Sequence, residues 1–284
     1  MSTWQRALVW SFLVCGLAGN AWAGAVDDLE SAGQAMKNGN YQQAVDLLNR
    51  AIDSGELDKE NLVRALANRG VAHKRRGEMA LALADYDEAI QVNPRDAVSY
   101  YNRANYWSEV NQPDKALADY TKAIELDPAF AAAYFNRGQA YWEMSRSEEA
   151  LADFNQALLR DPLFARAYFA RGVVYSFQKN YPAAAQDYQK TLDLNASYLR
   201  AYNNLAAALV EMGRYAEALE VLDRGLKLSP DNPRFLTQKA LTLEHAGRFP
   251  ESLELVQQAL RLEPGNRELL TAQERLQGKM KDKK

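Results

Sequence analysis

The sequence has little of what catalytic and metal centres are made from. Among 284 residues there are one Cys and two His, His73 and His245, too few for a Cys/His zinc site. No G-x-x-x-x-G-K-[ST], G-x-S-x-G or H-E-x-x-H stretch occurs, so the phosphate-loop, serine-hydrolase and zinc-protease chemistries tied to those spacings are not expected. Charge of one sign is missing too: 34 Lys and Arg against 37 Asp and Glu leave a net charge of −3. A protein held to nucleic acid by bulk charge is strongly basic, and no nucleic-acid partner is expected. Gly and Pro, 15 and 9 residues, are too few for collagen-like or low-complexity classes, and 48% apolar with 25% charged residues is the composition of a folded chain.

A single long apolar run occurs, at the N-terminus. Arg6 precedes Ala7–Ala18, and Ala21-Trp22-Ala23 follows with the small–x–small form of a cleavage site, the layout of a secretory signal peptide over 1–23. The run is shorter than the roughly 20 residues that span a bilayer, so cleavage after Ala23 is expected rather than anchoring. Cys15 follows Val14 instead of the small residue of a lipobox, which argues against a lipoprotein. A chain exported this way, to the periplasm or beyond, keeps no Cys, and disulfides play no part in its stability.

The rest of the chain repeats itself. Pro94, Pro128 and Pro162 are 34 residues apart, as are Pro230 and Pro264, with Ala196 at the missing step. This period gives repeats 63–96, 97–130, 131–164, 165–198, 199–232 and 233–266, and a seventh copy fits 25–58 when Lys59–Leu62 is taken as an insertion. A fixed period of this length marks stacked supersecondary units. Position 8 of the repeat holds Ala32, Gly70, Ala104, Gly138, Gly172, Ala206 and Ala240; with positions 20 and 27, 19 of 21 residues are Gly or Ala. Small residues recurring in this way predict close helix–helix approach. Apolar spacings of three and four over two stretches per repeat predict paired amphipathic helices. Gly77, Gly213 or Gly247 marks the turn between them, and the periodic Pro ends the second helix.

The repeat 131–164, with Tyr134, Gly138, Tyr141, Ala150, Phe154, Ala157 and Pro162 in place, resembles the tetratricopeptide repeat (TPR) family, and the resemblance extends over nearly all of 24–277. It implies an all-α, right-handed α-solenoid, a single array of seven helix–turn–helix units. A capping helix over 267–277 would lay Leu269, Leu270 and Leu276 on the last repeat, with a frayed basic tail over 278–284. Asp28 and Ser31, at usually apolar positions of the first copy, suit a terminal cap.

In the family, positions 2, 5, 6, 9, 12 and 13 of the first helix line a concave surface that takes extended peptides or partner helices. Here the resemblance puts Tyr101, Phe135, Phe169 and Asn203 at position 5, Asn102, Asn136 and Asn204 at 6, Asn105 and Gln139 at 9, Trp142 at 12, Phe177 at 13, and Arg166, Arg200 and Arg234 at 2. A side-chain amide offers donors and an acceptor, which suits a peptide backbone. The alternative is that these amides bond between adjacent helices. The position-2 arginines sit in a first turn, where they oppose the helix dipole. Either they hold an acidic segment or a C-terminal carboxylate, or they are solvated beside acids such as Asp161 and Asp231. Position 5 is never Lys, so the carboxylate clamp of chaperone-binding members is not implied.

Other recurring residues read as structure. Arg69, Arg103, Arg137 and Arg171 at position 7 accompany Asp85, Asp119, Asp153 and Asp187 at position 23, and both positions change together to Leu205 with Val221 and Lys239 with Leu255. They are expected to form interhelical ion pairs. His73 and Trp107 share position 11 and are expected in the core. His245 lies five repeats from His73, and with helix layers about 8–10 Å apart the two cannot share a site. Glu109 and Glu143 recur at position 13 as solvated carboxylates, and Asn195-Ala196-Ser197 is a lone glycosylation sequon. No enzyme activity, cofactor or metal is expected. The sequence points to an adaptor of a bacterial cell envelope with a protein or peptide partner. The alternative is a glycan-binding accessory of polysaccharide secretion or wall remodelling that stacks sugars on Tyr101, Phe135, Phe169 and Trp142.

Overall fold

The computed structural model describes residues 24–281; the signal peptide expected over 1–23 and the last three residues lie outside the described residues. All regular structure among the described residues is helical. After α1 (24–37) come α2 (Tyr41–Asp53), α3 (Lys59–Arg75), α4 (Met79–Val92), α5 (Ala97–Glu109), α6 (Pro113–Leu126), α7 (Ala131–Glu143), α8 (Ser147–Arg160), α9 (Ala165–Phe177), α10 (Tyr181–Leu194), α11 (Leu199–Glu211), α12 (Tyr215–Leu228), α13 (Pro233–His245), α14 (Phe249–Leu262) and α15 (Arg267–Lys281). The helices fall into two compact units, Met1–Ala140 and Tyr141–Lys284.

Both helix ends follow from the repeat. Position 15, after the first helix, adopts a left-handed backbone in all seven copies, at Gly39, Gly77, Asn111, Ser145, Lys179, Gly213 and Gly247 (φ 57–80°). Glycine takes this conformation without strain, whereas Asn111, Ser145 and Lys179 carry a Cβ there at a cost of about 1–2 kcal/mol. The second helix ends two residues before Pro94, Pro128, Pro162, Pro230 and Pro264, yet α10 ends at the same position before Ala196. Proline therefore marks the stop without being required for it: the N–H at repeat position 31, Asn195 just after α10, still bonds back to the carbonyl at position 27, Thr191.

The small positions are where the helices meet. Ala32, Ala44, Ala51, Ala82 and Ala104 in the first unit, and Ala184, Ala206 and Ala218 in the second, have no exposed surface. A Cβ added at Gly172 would lie 2.8 Å from Tyr188 Cε1, and one at Gly70 would lie 2.5 Å from Tyr86 Cε1. The polar exceptions are satisfied: Ser252 Oγ donates to the carbonyl of Ala240 at 2.6 Å and Thr191 Oγ1 to that of Asp187 at 2.8 Å. Large side chains then fill the layer between, with Tyr86, Tyr120, Phe154, Tyr188 and Leu222 buried.

The four inserted residues Lys59–Leu62 form an extra first turn of α3, capped by Asp58, whose carboxylate accepts from the Asn61 N–H at 2.8 Å. The last helix continues past residue 277 to Lys281, because Lys279 reaches back to Glu244 (2.8 Å) and lies over the Phe249 ring. At the first copy, Asp28 pairs with Arg50 at 2.6 Å.

The arginines of position 7 do more than pair within a repeat. Arg69, Arg103 and Arg171 each donate to the Asp at position 23 (Asp85, Asp119 and Asp187, 2.7 Å). Each also reaches position 25 of the preceding repeat: Arg69 to Asn49, Arg103 to Asp87, Arg171 to Asn155, and likewise Arg137 to Thr121 and Lys239 to Asp223. Arg103, Arg137 and Arg171 lie over the rings of Tyr100, Tyr134 and Tyr168, a cation–π contact. One guanidinium thus ties two helices of its own repeat to the repeat before it. Leu205 cannot make this tie, and between α10 and α12 an open crevice of about 610 Å³ remains, lined by Ala185, Leu205, Leu209 and Val221.

Breaking such a buried pair on one side leaves an uncompensated carboxylate. R171L is expected to cost about 3–5 kcal/mol, while R171L/D187V, which copies Leu205 with Val221, recovers most of that loss. Chemical denaturation of the two variants beside the parent measures both effects.

Candidate functional site

In the first unit the inner face of the helices is largely spoken for. Tyr101 packs on Phe130 (ring centroids 4.8 Å apart) and Tyr120 (6.1 Å). Asn105 Oδ1 accepts from the Tyr120 hydroxyl and from Asn136 Nδ2, both at 2.7 Å, and Asn136 Nδ2 also donates to the Tyr101 hydroxyl at 3.0 Å. Two of the carboxamides assigned to a peptide ladder therefore bond between neighbouring helices. Their task is to satisfy a buried phenol. Tyr86, the counterpart of Tyr120, has Val71 where Asn105 stands, and its hydroxyl is buried without a partner; burial pushes that phenol's pKa well above its ordinary value.

Phe135 requires a plain correction: expected to present its ring to a ligand, it is buried, with 2% of its surface exposed. It cannot act as a sugar-stacking platform. Asn102 and Gln139 are half-buried. The pattern of repeats contained a signal for this that exposure reasoning missed. Position 5 varies with position 34: Tyr101 goes with Phe130, Phe135 with Phe164, and Phe169 with Tyr198, whereas Asn203 goes with Asn232 and Thr237 with Asn266. In the structure Tyr101 rests on Phe130 and Phe169 on Tyr198 (4.9 Å), so a ring at position 5 has its own internal partner.

Where both positions turn polar, the ring pair is absent and a cleft opens. In the second unit a cleft of about 560 Å³ is lined by Phe169, Asn203, Asn204, Thr237, Gln238 and Asn266, with Arg200, Arg234, Glu263 and Glu268 among its charged residues. It gathers five of the residues singled out from sequence: Phe169, Arg200, Asn203, Asn204 and Arg234. Asn204 Nδ2 is 3.4 Å from the Tyr188 hydroxyl, while Asn203 Oδ1 is buried without a hydrogen-bond partner. Arg166 is exposed outside this lining, and Trp142 meets Phe177 edge-on at 5.3 Å, with Phe177 71% exposed. His73 is buried with Nδ1 2.6 Å from Glu78, and Trp107, in the same position, donates from Nε1 to Asp119 at 3.1 Å. His245 stacks on Tyr215 and Glu109 pairs with Lys74 (2.9 Å).

The far wall of the cleft is α15, and one buried carboxylate holds it in place. Both oxygens of Glu244 in α13 are taken by α15: Arg275 donates to them at 2.9 and 2.7 Å and Lys279 at 2.8 Å. The Arg275 hydrogen bonds, opposed by burial and helped by Lys279, hold the Glu244 pKa down at about 2.

Family models for the tetratricopeptide repeat match residues 63–96, 137–198 and 203–267, and one for the TPR repeat matches 110–145. The chain belongs to the tetratricopeptide repeat family. Its fold class is the all-α TPR solenoid, and proteins of this kind are generally non-catalytic scaffolds for contacts with other proteins. Among solved structures it is similar to YrrB, described as a TPR protein with an unusual peptide-binding site (27% identity, 66% of this chain and 97% of that one, TM-score 0.62). It is also similar in fold to Pseudomonas aeruginosa pilF (22% identity, 78% and 99% of the chains, TM-score 0.64) and to PilW, described as a type IV pilus biogenesis factor (19% identity, 74% and 97%, TM-score 0.61). No curated protein matches it. Among the described residues no helix is long and apolar enough to cross a membrane, and no cluster of three or more His, Cys, Asp or Glu is placed to hold a metal.

Two measurements test these assignments. Y120F removes a hydroxyl that Asn105 needs and is expected to cost about 1 kcal/mol, whereas Y86F removes an unpartnered one and is expected to be neutral or stabilising; thermal melts of the pair decide. For Glu244, a pKa lowered from 4.5 in the folded state means that its stabilisation is whole above that value and is lost as the pH falls towards about 2. E244Q should melt earlier at neutral pH, by roughly 1–3 kcal/mol, and the gap to the parent should close in that acid window.

Proposed function

We propose that this TPR protein is a non-catalytic adaptor of a bacterial cell envelope that binds an extended segment of a partner protein along the cleft of its second unit. The observation that carries the reading is the cleft itself, with Asn203, Asn204, Thr237 and Gln238 offering amides and a hydroxyl beside the half-buried Phe169 ring. A buried acceptor without a donor, as at Asn203, costs about 1–3 kcal/mol, and a backbone N–H of a bound segment is able to recover that cost if the side chain turns towards it. The peptide-binding site named for YrrB supports the same use of the fold. Export is supported by the layout of residues 1–23, and by a chain that has no Cys after Cys15.

The glycan alternative has lost most of its platform, since Phe135 is buried and Tyr101 and Phe169 are packed on neighbouring rings. Crosslinking and pull-down from the native host should recover a protein partner. F169A/N204A/Q238A should weaken its capture at least about tenfold with the circular dichroism spectrum unchanged. Undiminished capture would move the binding surface elsewhere. A change in the fluorescence of Trp142 and Trp107 on titration with wall fragments would instead favour a glycan.

A further inference from the structure

Position 2 of successive first-type helices in the second unit carries Arg166 in α9, Arg200 in α11 and Arg234 in α13, and at the corresponding place in α15 the sign reverses to Glu268. Arg200 and Arg234 are exposed, line the cleft, and their guanidinium groups make no hydrogen bond or ion pair among the described residues. Each lies in a helical first turn, where a cation is disfavoured by the dipole. Two arginines just before other helices are neutralised locally: Arg214 pairs with Glu217 and Arg248 with Glu251. At the opposite end of the same cleft are the exposed carboxylates of Glu263 and Glu268, neither of them ion-paired among the described residues. Glu263 caps the C-terminal end of α14, where a negative charge is again disfavoured. Two cations and two anions thus share one cleft without neutralising one another.

We infer that the cleft binds a segment of fixed charge polarity, with carboxylates against Arg200 and Arg234 and a lysine or arginine against Glu263 and Glu268. This rests on the peptide-binding reading above and adds the identity of the bound residues. Packed helices are about 8–10 Å apart and an extended chain advances about 3.3 Å per residue, so one helix step corresponds to about three residues. The recognised pattern is acidic–x–x–acidic–x–x–basic, read in one chain direction. Such an arrangement rejects uniformly acidic and uniformly basic segments alike, because each meets like charge at one end.

The test is an array of Gly-Ser decapeptides carrying every combination of Glu, Lys and Gln at three positions spaced by three, probed with the full chain at low and at physiological salt. The Glu–Glu–Lys pattern, in one chain direction, should be retained about tenfold better than all-Glu, all-Lys or Lys–Lys–Glu peptides. R200E/R234E should abolish that preference without lowering the melting temperature, since it places anions at helix N-termini. Equal retention of all charge patterns, a preference for all-Glu peptides, or a preference unchanged in R200E/R234E overturns the inference. If the captured native partner still depends on Phe169, Asn204 and Gln238 in that case, the polarity alone is wrong. If that dependence is missing as well, the cleft is not the binding surface.

Discussion

Everything in this fold depends on how closely two helices can approach at positions 8, 20 and 27. A Gly, Ala or other small residue at those points brings the backbones near enough for the rings of Tyr86, Tyr120, Phe154 and Tyr188 to close the layer above. Add one carbon at Gly172 and it overlaps Tyr188. Because protein interiors are packed to the density of organic crystals, the ring and the small residue are two halves of one requirement. Each repeat supplies both, and stacking supplies the burial that a single repeat cannot achieve.

That requirement explains why the fold was legible in the sequence. A constraint imposed once per repeat leaves a mark every 34 residues, and seven copies of Ala or Gly at position 8 cannot be confused with chance composition. The Arg–Asp pairs were legible for the same reason, since Leu205 and Val221 changed together. Their link to position 25 of the preceding repeat was harder to see, because Asn49, Asp87, Thr121 and Asn155 are chemically varied acceptors. A guanidinium donates to any of these oxygens, so geometry is kept there while residue type is not.

The surface was read less well. Phe135, Tyr101 and Phe169 share a position that borders both the inner face and the seam between helices. A helical period alone does not say which way a ring on that border turns. The ring at position 34 decides, and it lies far away along the sequence, at the end of the repeat. The same rule run in reverse explains the cleft: Asn232 and Asn266 replace the rings, and the half-buried Asn203 and Thr237 become part of the cleft wall. The α15 wall was anticipated as a cap by its leucines, but the buried Glu244 that holds it against α13 reads in sequence as an ordinary exposed glutamate.

The crevice beside Leu205 has a thermal consequence. Seams fastened by a guanidinium lean on charge and hydrogen bonding, whereas Leu205, Leu209 and Val221 bring only apolar contact to the crevice between α10 and α12, which Gln186, Gln189 and Glu220 also line. Apolar attraction fades on cooling because its heat capacity is large. Cooling is therefore expected to weaken the contacts of Leu205 more than the guanidinium ties of the other repeats.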